Sequence, residues 1–149
     1  MGLSIEDKVR ESNRIEGILR DPTEEECAEF ARILELTEIT LAEIQAFVRV
    51  YQPDARLRDV IGRDVIVRGD TPPRGGPHIR QRMQELLEAA NRGRLCPWAV
   101  HLEYERLHPF TDGNGRSGRM LWYWQMRNDP EADRGFLTAY YFQTLRRAR

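Results

Sequence analysis

The chain has 149 residues, of which 40% are hydrophobic and 32% charged, a balance typical of one soluble domain long enough to bury a core. Its formal net charge of −1 provides no global positive field, so we expect neither a nucleic acid nor a membrane as a partner. The two cysteines lack metal-ligand spacing, no apolar run approaches the roughly 18 residues of a membrane span, and no secretion signal is visible. We therefore expect a cytoplasmic protein.

Three helices are predicted in the N-terminal third of the chain. A serine or threonine that can cap the first turn precedes each helix, and the second and third helices also have a glutamate three positions after it, as a capping box requires. The first helix is expected to end near Arg20 and the third at Pro53, because proline cannot continue a helix. The predicted capping residues are Ser4, Thr23 and Thr40.

Residues 55–76 depart from the helical period. The segment DVIV at 64–67 is a short β-branched run, and RGDTPPRGGP after it is rich in residues that form turns. We therefore expect a small β-hairpin in which residues 64–68 pair with residues around 76–79.

Four more helices are predicted in the second half. The first begins at Ile79, and the second has Pro97 in its first turn and ends at His108. Asn114 is expected to cap the third helix, and the segment FLTAYYFQTLRR forms the last. The predicted fold is all-α, a compact single domain over residues 1–149 with one short hairpin.

The segment HPFTDGNGRSGR, residues 108–119, lies at the corner between two of these helices and concentrates groups that bind anions. Gly113 and Gly115 let the backbone come close to a ligand, and the free N–H groups of the new helix form an anion nest. Arg116 and Arg119 project from the same first turn, where the helix dipole disfavours cations. A ligand with several phosphates would explain both arginines.

The same corner holds an acid and a base. Asp112 supplies a hard oxygen for a Mg²⁺ ion that bridges phosphates, and His108 is the nearby group that can take a proton near neutral pH. Each residue alone is more often structural, since Asp-Gly marks a turn and arginines on a helix are usually solvated. Together they predict transfer of a phosphate-linked group onto a hydroxyl.

This segment resembles the signature of the Fic family, H-x-F-x-[DE]-G-N-G-R-x-x-R, and matches every fixed position. The flanking helices and the hairpin also suit the Fic core, over residues from about 40 to 149. The resemblance implies a Mg²⁺-dependent protein adenylyltransferase that moves AMP from ATP to a Ser, Thr or Tyr hydroxyl of a target protein or of itself. The acid at position 112 disfavours the kinase-type branch resembling Doc, which carries lysine there. The signature does not exclude UTP, GTP or CDP-choline as the donor in place of ATP.

The resemblance also assigns a role to most residues of the corner. His108 becomes the general base toward the target hydroxyl, Asp112 the Mg²⁺ ligand and Phe110 a buried anchor. Arg116 is placed beside the β-phosphate and Arg119 beside the γ-phosphate. The α- and β-phosphates are cradled by three residues, Gly113, Asn114 and Gly115.

A second segment, SNRIEG, resembles the inhibitory motif of the family, [ST]-x-x-x-E-[GN]. Ser12 and Glu16 lie four positions apart on one helical face, although this fragment alone is also typical of an ordinary exposed face. Gly17 is expected inside the helix, where glycine costs about 1 kcal/mol relative to alanine, which suggests a packing role.

The resemblance implies that residues 1–20 form an inhibitory helix. Glu16 is expected to pair with Arg119 and so to occupy the guanidinium that would hold the γ-phosphate. It implies an autoinhibited enzyme of low basal activity, and in some family members the same glutamate supports removal of AMP.

The predicted hairpin corresponds to the flap of Fic proteins, which pairs with the target backbone by strand addition. It covers residues 63–79, with Ile66 and Ile79 as the expected hydrophobic clamps, although either could equally belong to the core. Two other functions stay open: an inactive Fic-like module that binds a nucleotide or a partner, and a helix-turn-helix DNA-binding protein. The near-zero net charge disfavours the latter.

Overall fold

The computed structural model describes the backbone of residues 2–148 and the side chains of residues 2–146. Within that range the chain forms seven α-helices, a short 3₁₀ helix at Pro130–Arg134 and only isolated β-bridges. The α-helices are α1 (Ile5–Ile15), α2 (Glu24–Leu34), α3 (Leu41–Tyr51), α4 (Pro77–Asn91), α5 (Pro97–Leu107), α6 (Asn114–Gln125) and α7 (Phe136–Ala148). The prediction of an all-α fold is confirmed, and none of these helices has the length and apolar character to cross a bilayer.

The first three helices begin where their capping residues predict. Ser4 and Thr23 each accept a hydrogen bond from the backbone three positions later, and the carboxylate at that position bonds back, so both capping boxes are complete. Thr40 also caps its helix, by accepting from the Glu43 N–H at 3.4 Å. The Glu43 carboxylate pairs instead with Arg32 of α2 at 2.6 Å, so the third capping box is only half formed.

Helix α1 ends earlier than the sequence predicted, at Ile15. Gly17 has a φ of 77°, a left-handed conformation that glycine adopts without a steric cost. The N–H groups of Gly17 and Ile18 donate to the carbonyls of Arg14 and Asn13, which closes the helix. The prediction that Gly17 lies inside the helix is therefore wrong, and the residue needs no packing role to offset a helix penalty.

Helix α6 forms the centre of the core. It packs against α1, α2, α3 and α5, and all of its residues from Ser117 to Trp124 are buried. A helix that is buried on every side carries apolar residues around its whole circumference, which explains why this segment lacks a clear amphipathic period. The largest fully buried aromatic side chains of the core, those of α6 included, are Phe30, Phe47, Tyr104, Phe110, Trp122 and Tyr123.

The segment between α3 and α4, residues 52–76, is called the 52–76 loop here. Its β-structure consists of two isolated bridges, Leu57 with Phe110 and Val67 with Asp70, so the predicted hairpin is reduced to one tight turn. The expected return strand at 76–79 is instead the start of α4, because proline at the first helical position is pre-set for a helix.

The two expected clamps of the hairpin lie in different environments. Ile66 is 98% exposed in the 52–76 loop, whereas Ile79 is 0% exposed within α4. The prediction that Ile79 acts as a clamp is wrong: the residue belongs to the core, and Ile66 alone is available at the surface.

Candidate active site

The corner between α5 and α6 begins with a strained residue. His108 follows the last residue of α5 with φ 50° and ψ 63°, and no other residue except glycine has a positive φ in the part of the chain described. Its N–H donates to the Tyr104 carbonyl at 2.9 Å. A non-glycine residue in this conformation costs of order 1–3 kcal/mol and persists only where its surroundings enforce it, and such residues cluster at functional sites.

The loop after His108 is closed by an asparagine side chain. Asn114 accepts from the Phe110 N–H at 2.9 Å and donates to the Phe110 carbonyl at 2.8 Å. Gly113, with a φ of 79°, precedes the helix, so Asn114 is the first helical residue and not the predicted cap. Because both polar atoms of its side chain bind Phe110, Asn114 would contact a phosphate through its backbone N–H.

The start of α6 offers unpaired donors and already faces an anion. The first intrahelical bond of this helix runs from the Ser117 N–H to the Gly113 carbonyl at 3.1 Å, so the preceding N–H groups have no partner within the helix. A Cβ placed on Gly115 would lie 2.5 Å from a carboxylate oxygen of Glu16, which shows that this carboxylate rests directly on the first turn. Glycine at position 115 permits that approach.

Arg119 connects the corner to α1. Its guanidinium donates to the Ser12 hydroxyl at 2.8 Å and to the Ser12 carbonyl at 3.1 Å, and it forms an ion pair with Glu16 at 3.7 Å. The Arg119 side chain is only 7% exposed, whereas that of Glu16 is 34% exposed. Burial lowers the pKa of Arg119, and the nearby Glu16 and Glu105 carboxylates oppose this shift.

Arg116 is buried too, but it is held by a different helix. It donates to the Gln52 side chain at 2.9 Å, and its guanidinium lies 5.8 Å from the ring centre of Tyr51. Its Nε is buried, and no group in the described part of the chain forms a hydrogen bond with it. The two arginines of the motif are thus brought to one corner and fixed from opposite sides, by α1 and by the end of α3.

The imidazole of His108 is suited to accept a proton. Burial lowers its pKa from the ordinary histidine value, and the Arg58 cation contributes in the same direction. The Glu105 carbonyl and the carboxylates of Asp112 and Glu16 oppose this shift. A lowered pKa favours the neutral ring, in which one nitrogen can accept a proton. Among the described residues, none forms a hydrogen bond with the buried Nδ1 atom.

Asp112 is an exposed residue whose Oδ1 accepts the Gly113 N–H at 2.7 Å. Among the described residues no three His, Cys, Asp or Glu side chains cluster as a metal cage would require. A single carboxylate beside a phosphate-binding helix start fits Mg²⁺, which commonly takes one or two protein carboxylates and completes its shell with phosphates and water.

The sequence did not point to two further residues near the corner. Arg58 is fully buried and bonds the His108 carbonyl, and Glu105, one turn before His108, has a buried Oε1 without a partner. Burial raises the pKa of Glu105 to about 7. The spacing of three between Glu105 and His108 was a usable signal for one shared helical face, whereas no local pattern connects Arg58 to the corner.

A surface cavity of about 630 Å³ lies between α3 and α4, and no corner residue lines it. We assign the function to the corner, not to this cavity, because the corner gathers the groups with chemistry: an anion site, two buried guanidiniums, a base and an exposed carboxylate. At the start of α6 the Glu16 carboxylate of the chain itself lies over the first turn.

Comparison with known protein families agrees with this geometry. The model of the Fic/DOC family matches residues 28–126, from within α2 to just beyond α6. The chain therefore belongs to the Fic/DOC family, which is known for nucleotidyl transfer such as AMPylation. The match begins earlier than the core expected from residue 40, and α1 lies outside it. No curated protein and no solved structure matches the chain.

Proposed function

We propose that this protein is an autoinhibited, Mg²⁺-dependent protein adenylyltransferase that transfers AMP from ATP to a hydroxyl side chain of a protein. The observation that carries the proposal is the Glu16 carboxylate on the first turn of α6, paired with Arg119. An anion from the chain itself rests where a helix start and a buried guanidinium favour a phosphate.

The residues of the corner have distinct tasks in this reaction. The phosphates of ATP bind over the first turn of α6, with Arg116 and Arg119 neutralising the β- and γ-phosphates. His108 takes the proton of the target hydroxyl as its oxygen forms a bond to the α-phosphorus. The bond from the α-phosphorus to the bridging oxygen breaks, and pyrophosphate leaves with that electron pair. Asp112 would hold Mg²⁺, which would supply positive charge opposite the phosphates.

Inhibition follows from competition for Arg119. With Glu16 in place, a γ-phosphate meets a carboxylate of like charge and finds the guanidinium already bonded to Ser12 and Glu16. ATP can then bind only with its triphosphate displaced, and a displaced α-phosphate is not in line with the attacking hydroxyl. Since a third of the Glu16 side chain is exposed, the carboxylate can leave without opening the core.

Removal of AMP is a second candidate activity, favoured by one observation. Burial lowers the pKa of the His108 imidazole, and the Glu16 carboxylate is one of the charges that oppose this shift. A carboxylate and an imidazole that share one site can orient and deprotonate a water molecule for attack on a protein-bound AMP.

The test is the intact mass of purified protein after incubation with ATP and Mg²⁺. We expect no change in the parent, a gain of one or more AMP units in Glu16→Gly, and no gain in Glu16→Gly combined with His108→Ala. Glu16→Gln is the matched control, because it removes the charge and keeps the size of the side chain. Label from α-labelled ATP identifies AMP transfer, and label from γ-labelled ATP alone would contradict it. Equal mass gain in the parent and Glu16→Gly would contradict autoinhibition.

A further inference from the structure

Arg58 is a buried cation that is not neutralised by an ion pair. Its side chain is 0% exposed, and no carboxylate among the described residues lies within ion-pair distance of it. Burial lowers its pKa, with Asp64 opposing from a distance. Because burying an unpaired charge is costly, a guanidinium in this position must be held by strong hydrogen bonds.

The hydrogen bonds of Arg58 go to four backbone carbonyls. Two belong to the end of α5 and the corner: Nη2 donates to Leu107 at 2.8 Å and Nε donates to His108 at 2.6 Å. The other two belong to the 52–76 loop, where Nη1 donates to Pro73 at 2.8 Å and to Arg63 at 3.3 Å. One planar group therefore joins the strained histidine to both sides of the turn in the loop.

The backbone of Arg58 reinforces the same connection. Its N–H donates to the Pro109 carbonyl at 2.8 Å, and its carbonyl accepts from the Gly76 N–H at 2.9 Å. The end of a helix carries partial negative charge on its free carbonyls, so a guanidinium there is favourable. The side-chain bonds of Arg58 hold the carbonyls of the peptides before and after His108. The orientations of these two peptides set the positive φ and the ψ of His108, and these angles place its imidazole.

We propose that Arg58 is a positioning residue for transfer: it holds His108 in its strained, reactive orientation and couples that orientation to the 52–76 loop. The proposal rests on the proposed function, in which His108 is the general base. The shortest hydrogen bond of Arg58 goes to the carbonyl of His108, the residue that takes the proton. The proposal therefore gives Arg58 a role in catalysis in addition to its contribution to folding.

The chain offers a matched control in Arg63. This arginine lies in the same loop, donates to the Leu57 carbonyl at 2.7 Å and pairs with Asp59 at 3.8 Å. No hydrogen bond connects its side chain to α5 or to the corner in the described structure. If Arg58 is only structural, replacing it should affect kcat no more than replacing Arg63 does. If Arg58 positions His108, its replacement should lower kcat much further.

The experiment compares Arg58→Met, Arg58→Lys and Arg63→Met in the active Glu16→Gly background. We expect kcat for AMP transfer to fall roughly 100-fold in Arg58→Met, since misplacing a reacting group by about 1 Å has that effect. The KM for ATP should stay within about threefold, because Arg58 does not contact the nucleotide site. Arg58→Lys keeps the charge with fewer donors and should recover part of kcat, and Arg63→Met should stay near the background.

The second readout is the NMR signal of the His108 ring, assigned by its loss in His108→Asn. We expect it to move in both Arg58 variants and to stay in place in Arg63→Met. A folded Arg58→Met with the kcat of Arg63→Met, or with an unmoved His108 signal, overturns the proposal. If Arg58→Met does not fold, a folded Arg58→Lys with unchanged kcat and signal overturns it. If Glu16→Gly transfers no AMP, the proposed function fails, while the His108 signal still tests this inference.

Discussion

Helix α1 and the 52–76 loop both lie against the corner between α5 and α6, but α1 binds a side chain of the corner, Arg119, whereas Arg58 of the loop binds the backbone of His108. From α1, Ser12 and Glu16 reach the guanidinium of Arg119. From the loop, the carbonyls of Arg63 and Pro73 accept from Arg58, which also bonds His108. In the proposed function, α1 controls the charge available to the phosphates, and the loop controls the geometry of the base.

The two segments also differ in how firmly they are attached. Besides its contacts with Arg119, α1 is held by Glu11, whose carboxylate accepts from the Phe136 N–H at 2.8 Å and from the Tyr123 hydroxyl at 3.3 Å. The loop is tied at its base, and its outer apolar residues, Ile61 and Ile66, are 88% and 98% exposed. An exposed apolar surface of this kind is suited to contact with another protein.

The largest expected effect is on stability, and it tests whether Ile79 belongs to α4 and the core or to the 52–76 loop. Ile79→Ala should lower the free energy of unfolding by about 3 kcal/mol, because it removes a core side chain of α4. Ile66→Ala should change it by less than about 0.5 kcal/mol, because that residue is exposed. Urea unfolding of both variants measures the difference. Equal losses of unfolding free energy would contradict the placement of Ile79 in the core.

The next effect concerns the charge that α1 places on the corner. Glu16→Gly should raise the rate of AMP transfer roughly 100-fold, because the α-phosphate can then take its in-line position. Glu16→Gln should raise it less, since an uncharged side chain still fills part of the space over Gly115. Initial rates with α-labelled ATP give both values, and a Glu16→Gln rate at the parent level would assign inhibition to bulk instead of charge.

A smaller effect is expected from the second attachment of α1. Glu11→Gln should raise the rate about tenfold, because a weaker bond to α6 and α7 lets α1 leave the corner more often. Glu6→Gln is its control, since Glu6 pairs only with Arg10 of the same helix at the surface. Equal rates in the two variants would show that the contacts of Ser12 and Glu16 with Arg119 position α1 without help from Glu11.

The smallest effect concerns pH. Burial lowers the pKa of His108, so its basic form persists below the ordinary histidine value of 6.5. The rate of Glu16→Gly should therefore stay within about twofold from pH 8 to 6.5 and fall at lower pH. Glu105→Gln serves as a control, because the pKa of Glu105 is about 7 and its titration falls inside this range. A rate that already halves near pH 7 in Glu105→Gln would contradict a lowered pKa for His108.

The sequence predicted best what depends on neighbours along the chain. Capping at Ser4, Thr23 and Thr40 is local chemistry, and the predicted helix starts are confirmed. The residues of the corner are contiguous, so one motif named them together. The return strand predicted at 76–79 is wrong, because the turn-rich segment leads into Pro77, where a helix begins.

What the sequence did not predict depends on distant contacts. Arg58 meets His108 across 50 positions, and its partners are backbone carbonyls, which leave no side-chain signature. Asn114 looked like a helix cap because asparagine commonly is one, yet its side chain bonds Phe110. The pairing of Glu16 with Arg119 was expected only through the family motif, and periodicity alone would have left both on exposed faces.

The left-handed turn at Gly17 has a consequence for how the proposed inhibition is relieved. It places Glu16 at the very tip of α1, after the last full turn and next to a closing pair of hydrogen bonds. Helix tips fray far more readily than helices dissociate. Unwinding the exposed residues after Asn13 would withdraw the carboxylate while Ser4 and Glu11 keep the rest of the helix in place. Activation would then not expose the core.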